Sequence, residues 1–85
     1  MISSIEILGY TAGTISSLTF LPQVIKTWKS KSAGDISLLM FLFATTSVII
    51  WLIYGILINN GSIIYTNATI LLLSSVMLYF KFRYK

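Results

Sequence analysis

The chain alternates long apolar stretches with short polar segments. Apolar residues dominate positions 5–25, 36–58 and 62–82, and polar residues fill positions 26–35 and 59–61. Each apolar stretch reaches the roughly 20 residues that a helix, rising about 1.5 Å per residue, needs to cross about 30 Å of hydrocarbon. The pattern therefore predicts three membrane-spanning helices in a single domain, residues 1–85, with residues 26–35 as a loop.

The composition supports an integral membrane protein. Of the 85 residues, 56% are hydrophobic and 9% are charged, whereas soluble domains carry about 25% charged residues. No water-soluble domain fits between the spans, and the first span lacks the basic leader of a cleaved signal peptide. The expected fold class is therefore an all-α integral membrane protein, a bundle of three transmembrane helices.

The basic residues predict the orientation. Three lie in the loop and three at the C-terminus, namely Lys26, Lys29, Lys31, Lys81, Arg83 and Lys85. An odd number of spans places both clusters on one side of the membrane, and the positive-inside rule makes that side cytoplasmic. We therefore expect the N-terminus outside and the C-terminus inside. Because each cluster flanks an apolar span, nucleic-acid binding is not expected.

Catalytic and metal chemistry are not expected. The chain has no Cys and no His, and its two acids are Glu6 and Asp35. Thiolate nucleophiles, His-based zinc sites and His acid–base catalysis are therefore excluded, and a paired-carboxylate active site is not expected. No ionisable residue is predicted at mid-bilayer, which argues against proton coupling. We expect neither an enzyme nor a bound cofactor or metal.

Polar residues within the spans mark the candidate site. Trp51 lies about 10 Å from the end of the second span, and Asn67 lies about 8 Å from the start of the third. Because these two helices run in opposite directions, the two side chains sit at nearly the same depth and can meet. An indole face stacks on the C–H face of a sugar ring, and a carboxamide binds its hydroxyls. Ser47 lies one turn before Trp51 and is included in the candidate site.

Structural roles for the same residues stay open. Trp51 alone is at least as typical of packing or of the membrane interface as of a binding site, and Asn67 alone is as typical of an interhelical hydrogen bond as of ligand binding. A small accessory or interaction subunit, or a holin-like channel former, therefore remains an alternative to a carrier.

The first span contains a stripe of small residues and a predicted kink. Gly9, Gly13 and Ser17 recur every fourth position, which is typical of close helix packing. Pro22 lacks a backbone N–H and predicts a kink, and Gln23 beside it is expected to help satisfy the freed carbonyl. Thr19, one turn from Pro22, is a further substrate-binding candidate.

Polar residues also predict helix ends. Asp35 or Ser37 can cap the start of the second helix, because their side-chain oxygens accept hydrogen bonds from free N–H groups. Asn60, Gly61 and Ser62 are expected to close the second helix and open the third.

One sequence pattern resembles a known family. The segment Phe-Leu-Pro-Gln-Val-Ile-Lys at residues 20–26 resembles the PQ-loop motif. Together with Gly-Asp-Ile-Ser at 34–37, Trp-Leu-Ile-Tyr-Gly-Ile-Leu at 51–57 and Asn67, it makes the whole chain similar to the bacterial SemiSWEET family.

The resemblance implies a function and an assembly. It implies a parallel homodimer in the bacterial inner (cytoplasmic) membrane that carries a mono- or disaccharide by passive uniport and alternating access. Trp51 and Asn67 of both protomers are then expected to bind the sugar on the two-fold axis. The remaining roles implied are a hinge at Pro22 and Gln23, a gate at Tyr54, and an opposite gate at Met40 and Phe43.

One position departs from the family pattern. Family members often carry an Arg and an Asp just beyond the Tyr-Gly segment, where this chain has Ile58 and Asn60. The charged pair that closes the outside is therefore missing. Closure is expected to depend on Tyr54, on apolar contacts, and on hydrogen bonds of Asn59 or Asn60.

Overall fold

The chain folds almost entirely into helices. The computed structural model describes residues 3–34 and 37–84, which form α1 (Ser4–Leu18), α2 (Leu21–Ser30), α3 (Leu38–Leu57) and α4 (Gly61–Tyr84). The first predicted span corresponds to α1 and α2 together, so the three-span, all-α fold is confirmed. α3 and α4 are long and apolar enough to cross a membrane, with mean hydropathies of 2.1 and 1.7 over their most apolar windows.

The first span is broken where the kink is predicted. Thr19 and Phe20 form a turn in which their N–H groups donate to the carbonyls of Ser16 and Ser17, at 3.2 and 3.1 Å. Pro22 stands at the start of α2, where its missing N–H costs nothing, because the first N–H groups of a helix have no partner within it. The break therefore divides one span into two helices with separate ends.

The predicted loop at 26–35 is too long. α2 continues to Ser30, and Lys31 ends it in the left-handed conformation, with φ of 55°. The prediction ended the helix at the first Lys, but lysines extend helices well and carry their charge to water on an apolar stem. The connection therefore spans residues 31–37, of which Asp35 and Ile36 lie outside the described residues.

The helices lie side by side with α4 in the middle. α4 contacts α1, α2 and α3, whereas α1 and α3 do not contact each other. The Cα atoms extend over 44 × 21 × 14 Å, so the bundle is a single layer whose length matches a bilayer with its interfaces. The solvent-accessible surface area is 5947 Å². A compact monomer of this mass is expected to have about 5000 Å². Such a layer has little interior of its own.

Glycines allow the helices to approach α4 closely. A Cβ atom on Gly13 would overlap the hydroxyl of Thr66 and lie 3.0 Å from its Cβ, and one on Gly9 would lie 2.7 Å from the Ser62 hydroxyl. This contact runs along the predicted stripe of small residues. Close backbone approach matters here because lipid gives little hydrophobic force between helices.

The end of the layer at residues 58–61, the turn end, is a compact connection. Asn59 has a φ of 57°, and the N–H of Asn60 donates to the carbonyl of Gly55 at 2.9 Å while that of Asn59 donates to Ile56 at 3.1 Å. These two bonds form a Schellman motif that ends α3. The Asn60 carboxamide oxygen then accepts from the N–H of Ile63, at 3.1 Å, and caps α4. The predicted role of Asn60 in helix punctuation is confirmed.

The opposite end, the loop end, fastens the connection 31–37 to α4. The Lys81 ammonium donates to the carbonyl of Ala33 at 2.8 Å. The Lys31 ammonium lies 5.3 Å from the Trp28 ring centroid and 5.4 Å from that of Tyr84, within the range of cation–π attraction. Ser37 caps α3, because its hydroxyl accepts from the N–H of Met40 at 3.2 Å.

We expect Gly55→Ala to destabilise the bundle. Its new Cβ would lie 2.6 Å from Ile63 Cγ2 and 3.3 Å from the Ile64 backbone nitrogen, and a backbone atom cannot move aside. The free-energy cost of this overpacking exceeds the gain that Ala brings over Gly in helix propensity. The free energy of unfolding should therefore fall by about 1–2 kcal/mol. Thermal unfolding in detergent measures this.

Gly61→Ala is the matched control. Its added Cβ meets only the phenol tip of Tyr10, which can turn away, so its melting temperature should stay near that of the wild type. An equal loss in both variants would contradict the close packing at Gly55.

Candidate functional site

A groove near the turn end brings the two strongest candidates together. It has a volume of about 380 Å³ and is lined by α1, α3 and α4. α3 contributes Trp51 and α4 contributes Asn67. We call it the Trp51 groove, and its other lining residues are Gly9, Ala12, Gly13, Ser16, Ser62, Ile63 and Thr66.

The α1 wall of this groove is flat and made of small residues. Its four members, Gly9, Ala12, Gly13 and Ser16, follow the spacing i, i+3, i+4, i+7, which places them on one helix face. Because none has a side chain larger than Ser, the wall leaves room beside the indole of Trp51. The same glycines that allow α1 to approach α4 therefore also keep the groove open.

Asn67 is partly committed to its own helix. Its amide nitrogen donates to the carbonyl of Ile63 at 2.9 Å, which fixes the orientation of the carboxamide. The amide oxygen and the second amide proton have no partner among the described residues. A carboxamide held in this way offers one acceptor and one donor to a bound molecule.

The indole of Trp51 is also held in place. The Tyr54 ring lies 5.5 Å from it, centroid to centroid, at an angle of 84°, an edge-to-face geometry that aromatic pairs favour. Trp51 is still 51% exposed and Tyr54 48% exposed, because α1 and α3 do not meet over the groove. One chain therefore builds one open side of a site and not a closed pocket.

A second cavity lies at the loop end. It has a volume of about 690 Å³ and is bounded by α2, by the connection to α3, by α3 and by α4. We call it the Thr27 cavity. Its lining residues are Gln23, Lys26, Thr27, Ser30, Ser32, Ser37, Met40, Phe41 and Met77.

The other predicted site residues are dispersed. Thr19 donates to the carbonyl of Ser16 at 2.6 Å, and neither Thr19 nor Ser47 lines the Trp51 groove. Phe43 is 71% exposed and lines neither cavity, whereas Met40 lines the Thr27 cavity.

The two proposed hinge residues differ in position. Pro22 lies at the break between α1 and α2. The Gln23 side chain makes no hydrogen bond within the described part of the chain, so the expected bond to the carbonyl freed by Pro22 is not formed. Its side chain borders the Thr27 cavity instead.

The sequence analysis assigned only Trp51 and Asn67 of the groove residues to the site, and the polar residues that it missed are Ser16, Ser62 and Thr66. A signal for Ser16 was present, since residues 9, 12, 13 and 16 form a small-residue face with helical spacing. Thr66 gave no such signal, because only the position of α1 relative to α4 brings it to the groove.

The fold and the motif identify the family. Residues 4–64 match the PQ loop repeat family. The chain belongs to the PQ-loop family. This PQ-loop protein is 41% identical to the sugar transporter SemiSWEET of Bradyrhizobium diazoefficiens, over 94% of this chain and 93% of that protein. The resemblance to SemiSWEET proteins is therefore confirmed.

Solved structures give the same assignment. The PQ-loop protein matches the crystal structure of a bacterial homologue of SWEET transporters with a TM-score of 0.93 and 35% identity, over 98% of this chain and 100% of that one. It matches a SemiSWEET in the inward-open conformation with a TM-score of 0.85 and 29% identity, over 93% and 85% of the two chains. Its relatives are membrane transporters, so the expectations of a membrane protein that is not an enzyme are confirmed.

We expect the Trp51 groove to be accessible to water. The chain has no Cys, so a single Cys introduced at Ser16 reports on the groove alone. A thiol in water ionises and reacts, whereas one in lipid does not. Ser16→Cys should therefore react with a charged thiosulfonate reagent at least about ten times faster than Ile15→Cys.

Ile15 is the matched control, since it lies at the same depth, is 60% exposed and does not line the groove. Equal rates at the two positions would show that lipid fills the groove.

Proposed function

We propose that this protein is a sugar transporter. It would carry a mono- or disaccharide by passive uniport, as a homodimer that alternates between two open states. The observation that supports this most directly is the placement of Trp51 and Asn67 on one groove. The relative from Bradyrhizobium diazoefficiens is itself named a sugar transporter, and no cofactor or enzymatic step is needed.

The groove chemistry suits a neutral polyhydroxy ligand. The indole of Trp51 offers an apolar face to ring C–H groups, and Asn67 offers one free acceptor and one free donor to hydroxyls. The Trp51 groove is lined by uncharged residues, so an ionic substrate would find no partner there. We therefore favour a sugar over an amino acid.

Two copies would complete the site. A layer 14 Å thick with an open groove cannot enclose a ligand, but a parallel partner related by a two-fold axis would close it. Each protomer then contributes Trp51 and Asn67, so the sugar is held between two indoles and two carboxamides. The lipid bilayer covers the surfaces that remain.

The charge distribution supports the proposed orientation in the inner (cytoplasmic) membrane of a bacterium. The basic residues that the structure describes lie in α2, in the connection 31–37 and in the last turns of α4, all at the loop end. The positive-inside rule then makes the loop end cytoplasmic and the turn end, with the N-terminus, external.

The proposed motion changes the angle between α1 and α2. Among the described residues no backbone hydrogen bond joins α2 to α1 across the break at Thr19 and Phe20, so the angle between the two helices can change at low cost. Tyr54 then acts as a gate on the external side of Trp51, and Met40 with Phe43 acts on the cytoplasmic side. The similar SemiSWEET in an inward-open conformation is one end state of such a motion.

External closure would depend on Tyr54 and on apolar contacts. The carboxamide oxygen of Asn60 already accepts bonds from the Ile63 N–H and the Ser62 hydroxyl, so that atom is committed to the cap of α4. Ile58 is 47% exposed and offers the apolar surface at this end.

Replacement of Trp51 or Asn67 should abolish most of the transport. In proteoliposomes we expect Trp51→Ala and Asn67→Ala to lower the rate of radiolabelled glucose or sucrose uptake at least about tenfold, which corresponds to about 1.4 kcal/mol of lost interaction. Trp28→Phe and Thr69→Ala are the controls, because neither residue lines the groove, and both should stay near the wild-type rate. Wild-type flux in the two groove variants would contradict the site, and unselective dye leakage would indicate a channel former.

The orientation can be measured in whole cells. An impermeant maleimide should label Ser4→Cys in intact cells, because α1 begins on the outside in the proposed topology. It should label Ser32→Cys, in the connection 31–37, only after the cells are permeabilised. The reverse pattern would overturn the proposed orientation.

A further inference from the structure

The hydroxyl groups of the chain separate into two classes. The chain has eight threonines, and six of them form side-chain hydrogen bonds within the protein, namely Thr11, Thr14, Thr19, Thr45, Thr46 and Thr69. Most of these six donate to the carbonyl four residues earlier, the usual partner of a threonine within a helix. Thr27 and Thr66 are the exceptions among the described residues. Thr66 lines the Trp51 groove and Thr27 lines the second cavity.

Thr27 is the more informative of the two because it is buried. It is 4% exposed, and the other buried polar residues of the described chain are Ser17 and Ser74. Ser17 donates to the Gly13 carbonyl at 2.8 Å and Ser74 bonds with Thr45, whereas the Thr27 hydroxyl has no hydrogen-bond partner among the described residues. No fully buried side-chain nitrogen or oxygen atom in the described part of the chain lacks a partner, so the Thr27 oxygen itself is reached from the cavity. A molecule in the cavity can therefore bind this hydroxyl.

The surroundings of Thr27 are those of a hydrogen-bonding site. Gln23 lines the same cavity one turn earlier, and its carboxamide also lacks a partner within the described chain. Ser30 and Ser32 add hydroxyls, and the bond from the Ser30 hydroxyl to the Ser32 carbonyl is long, at 3.4 Å. Met40, Phe41 and Met77 form the apolar sides. Lys26 adds a charged group to this lining, and the hydroxyl and carboxamide groups beside apolar walls suit a polyhydroxy ligand.

The Thr27 cavity lies on the same face of the layer as the Trp51 groove. Met40 and Trp51 are eleven residues apart on α3. At about 100° per residue their directions differ by only about 20° around the helix axis, so they lie on the same face of α3. The first span repeats one spacing on both sides of its break, with residues 9, 12, 13 and 16 at the groove and residues 23, 26, 27 and 30 at the cavity. The two sites therefore follow each other along one path, about 16 Å apart along α3.

We propose that the Thr27 cavity is a second sugar-binding site, occupied between the Trp51 groove and the loop-end face of the membrane. Thr27 and Gln23 bind the sugar hydroxyls there. This inference rests on the proposed function, since it assigns a further binding site on the transport path to the same sugar. It also gives Gln23 a binding role in place of the predicted bond at the kink.

A single-cysteine reporter tests this site apart from the groove. Ser30→Cys places a thiol in the cavity, and Trp51→Ala with Asn67→Ala removes the groove site from the same chain. Glucose or sucrose should still slow the reaction of this thiol with N-ethylmaleimide, in comparison with potassium chloride of equal osmolality. No protection by either sugar would overturn the second site.

Thr27→Val then identifies the hydroxyl. It keeps the shape of the side chain and removes one hydrogen bond, so the sugar concentration for half-protection should rise about two- to tenfold. Gln23→Leu should act in the same direction. Thr46→Val is the matched control, because the Thr46 hydroxyl donates to the Leu42 carbonyl and lines neither cavity. Equal midpoints in Thr27→Val and Thr46→Val would mean that the Thr27 hydroxyl binds only water, which overturns the assignment.

Two further measurements separate this inference from the proposed function. The Ser30→Cys chain with an intact groove is assayed for sugar flux in proteoliposomes. If this variant transports sugar but its thiol is not protected by sugar, the second site is overturned and the proposed transport function stands. If the wild type transports no sugar, the proposed function is overturned, and the second site along the transport path is overturned with it. Protection by inorganic phosphate and not by sugar would overturn the assignment to a neutral ligand.

Discussion

The close approach of two helices to α4 is the contact on which the rest of this structure depends. In a bilayer, moving an apolar side chain from lipid into a helix interface gains little free energy, because both surroundings are apolar. Helices therefore associate through close backbone contact and dispersion forces. Gly13 gives α1 this distance at Thr66, and Gly55 gives it to α3 at Ile63. Thr66 and Ile63 are one turn apart on α4, so both neighbours are held at the same level. The groove between them exists because α4 separates α1 from α3.

A polar side chain in a membrane helix bonds within its own helix, bonds to a neighbouring helix, as Thr45 does with Ser74, or is free to bind a ligand. Thr11, Thr46 and Thr69 donate to carbonyls of their own helices, so their hydroxyl protons are not available to another molecule. The hydroxyls of Thr27 and Thr66 have no partner in the described ranges 3–34 and 37–84, and both residues border cavities. The distribution of internal hydrogen bonds, more than the distribution of polar residue types, thus separates structural from binding positions.

Much of the fold could be predicted from the sequence, because hydropathy and Pro22 act locally. The number of spans, the break, the cap at Ser37 and the shared position of Trp51 and Asn67 all follow from spacing along single helices. The end of α2 did not follow, because a helix can continue past the apolar region. Which residues face the groove depends on the order of the helices in space, with α4 between α1 and α3, and no local pattern encodes that order.

The first span is fastened to α4 at both of its ends. Nearer the turn end Gly9 packs closely on Ser62, and at the loop end the Lys81 ammonium holds the Ala33 carbonyl just beyond α2. The proposed hinge at Pro22 lies between these two attachments. Both halves of the first span are therefore attached to α4, and neither half is free to move alone. A change of the angle between α1 and α2 would therefore move the break at Pro22 toward or away from α4. The two halves of the span would then move together unless one of the attachments is released.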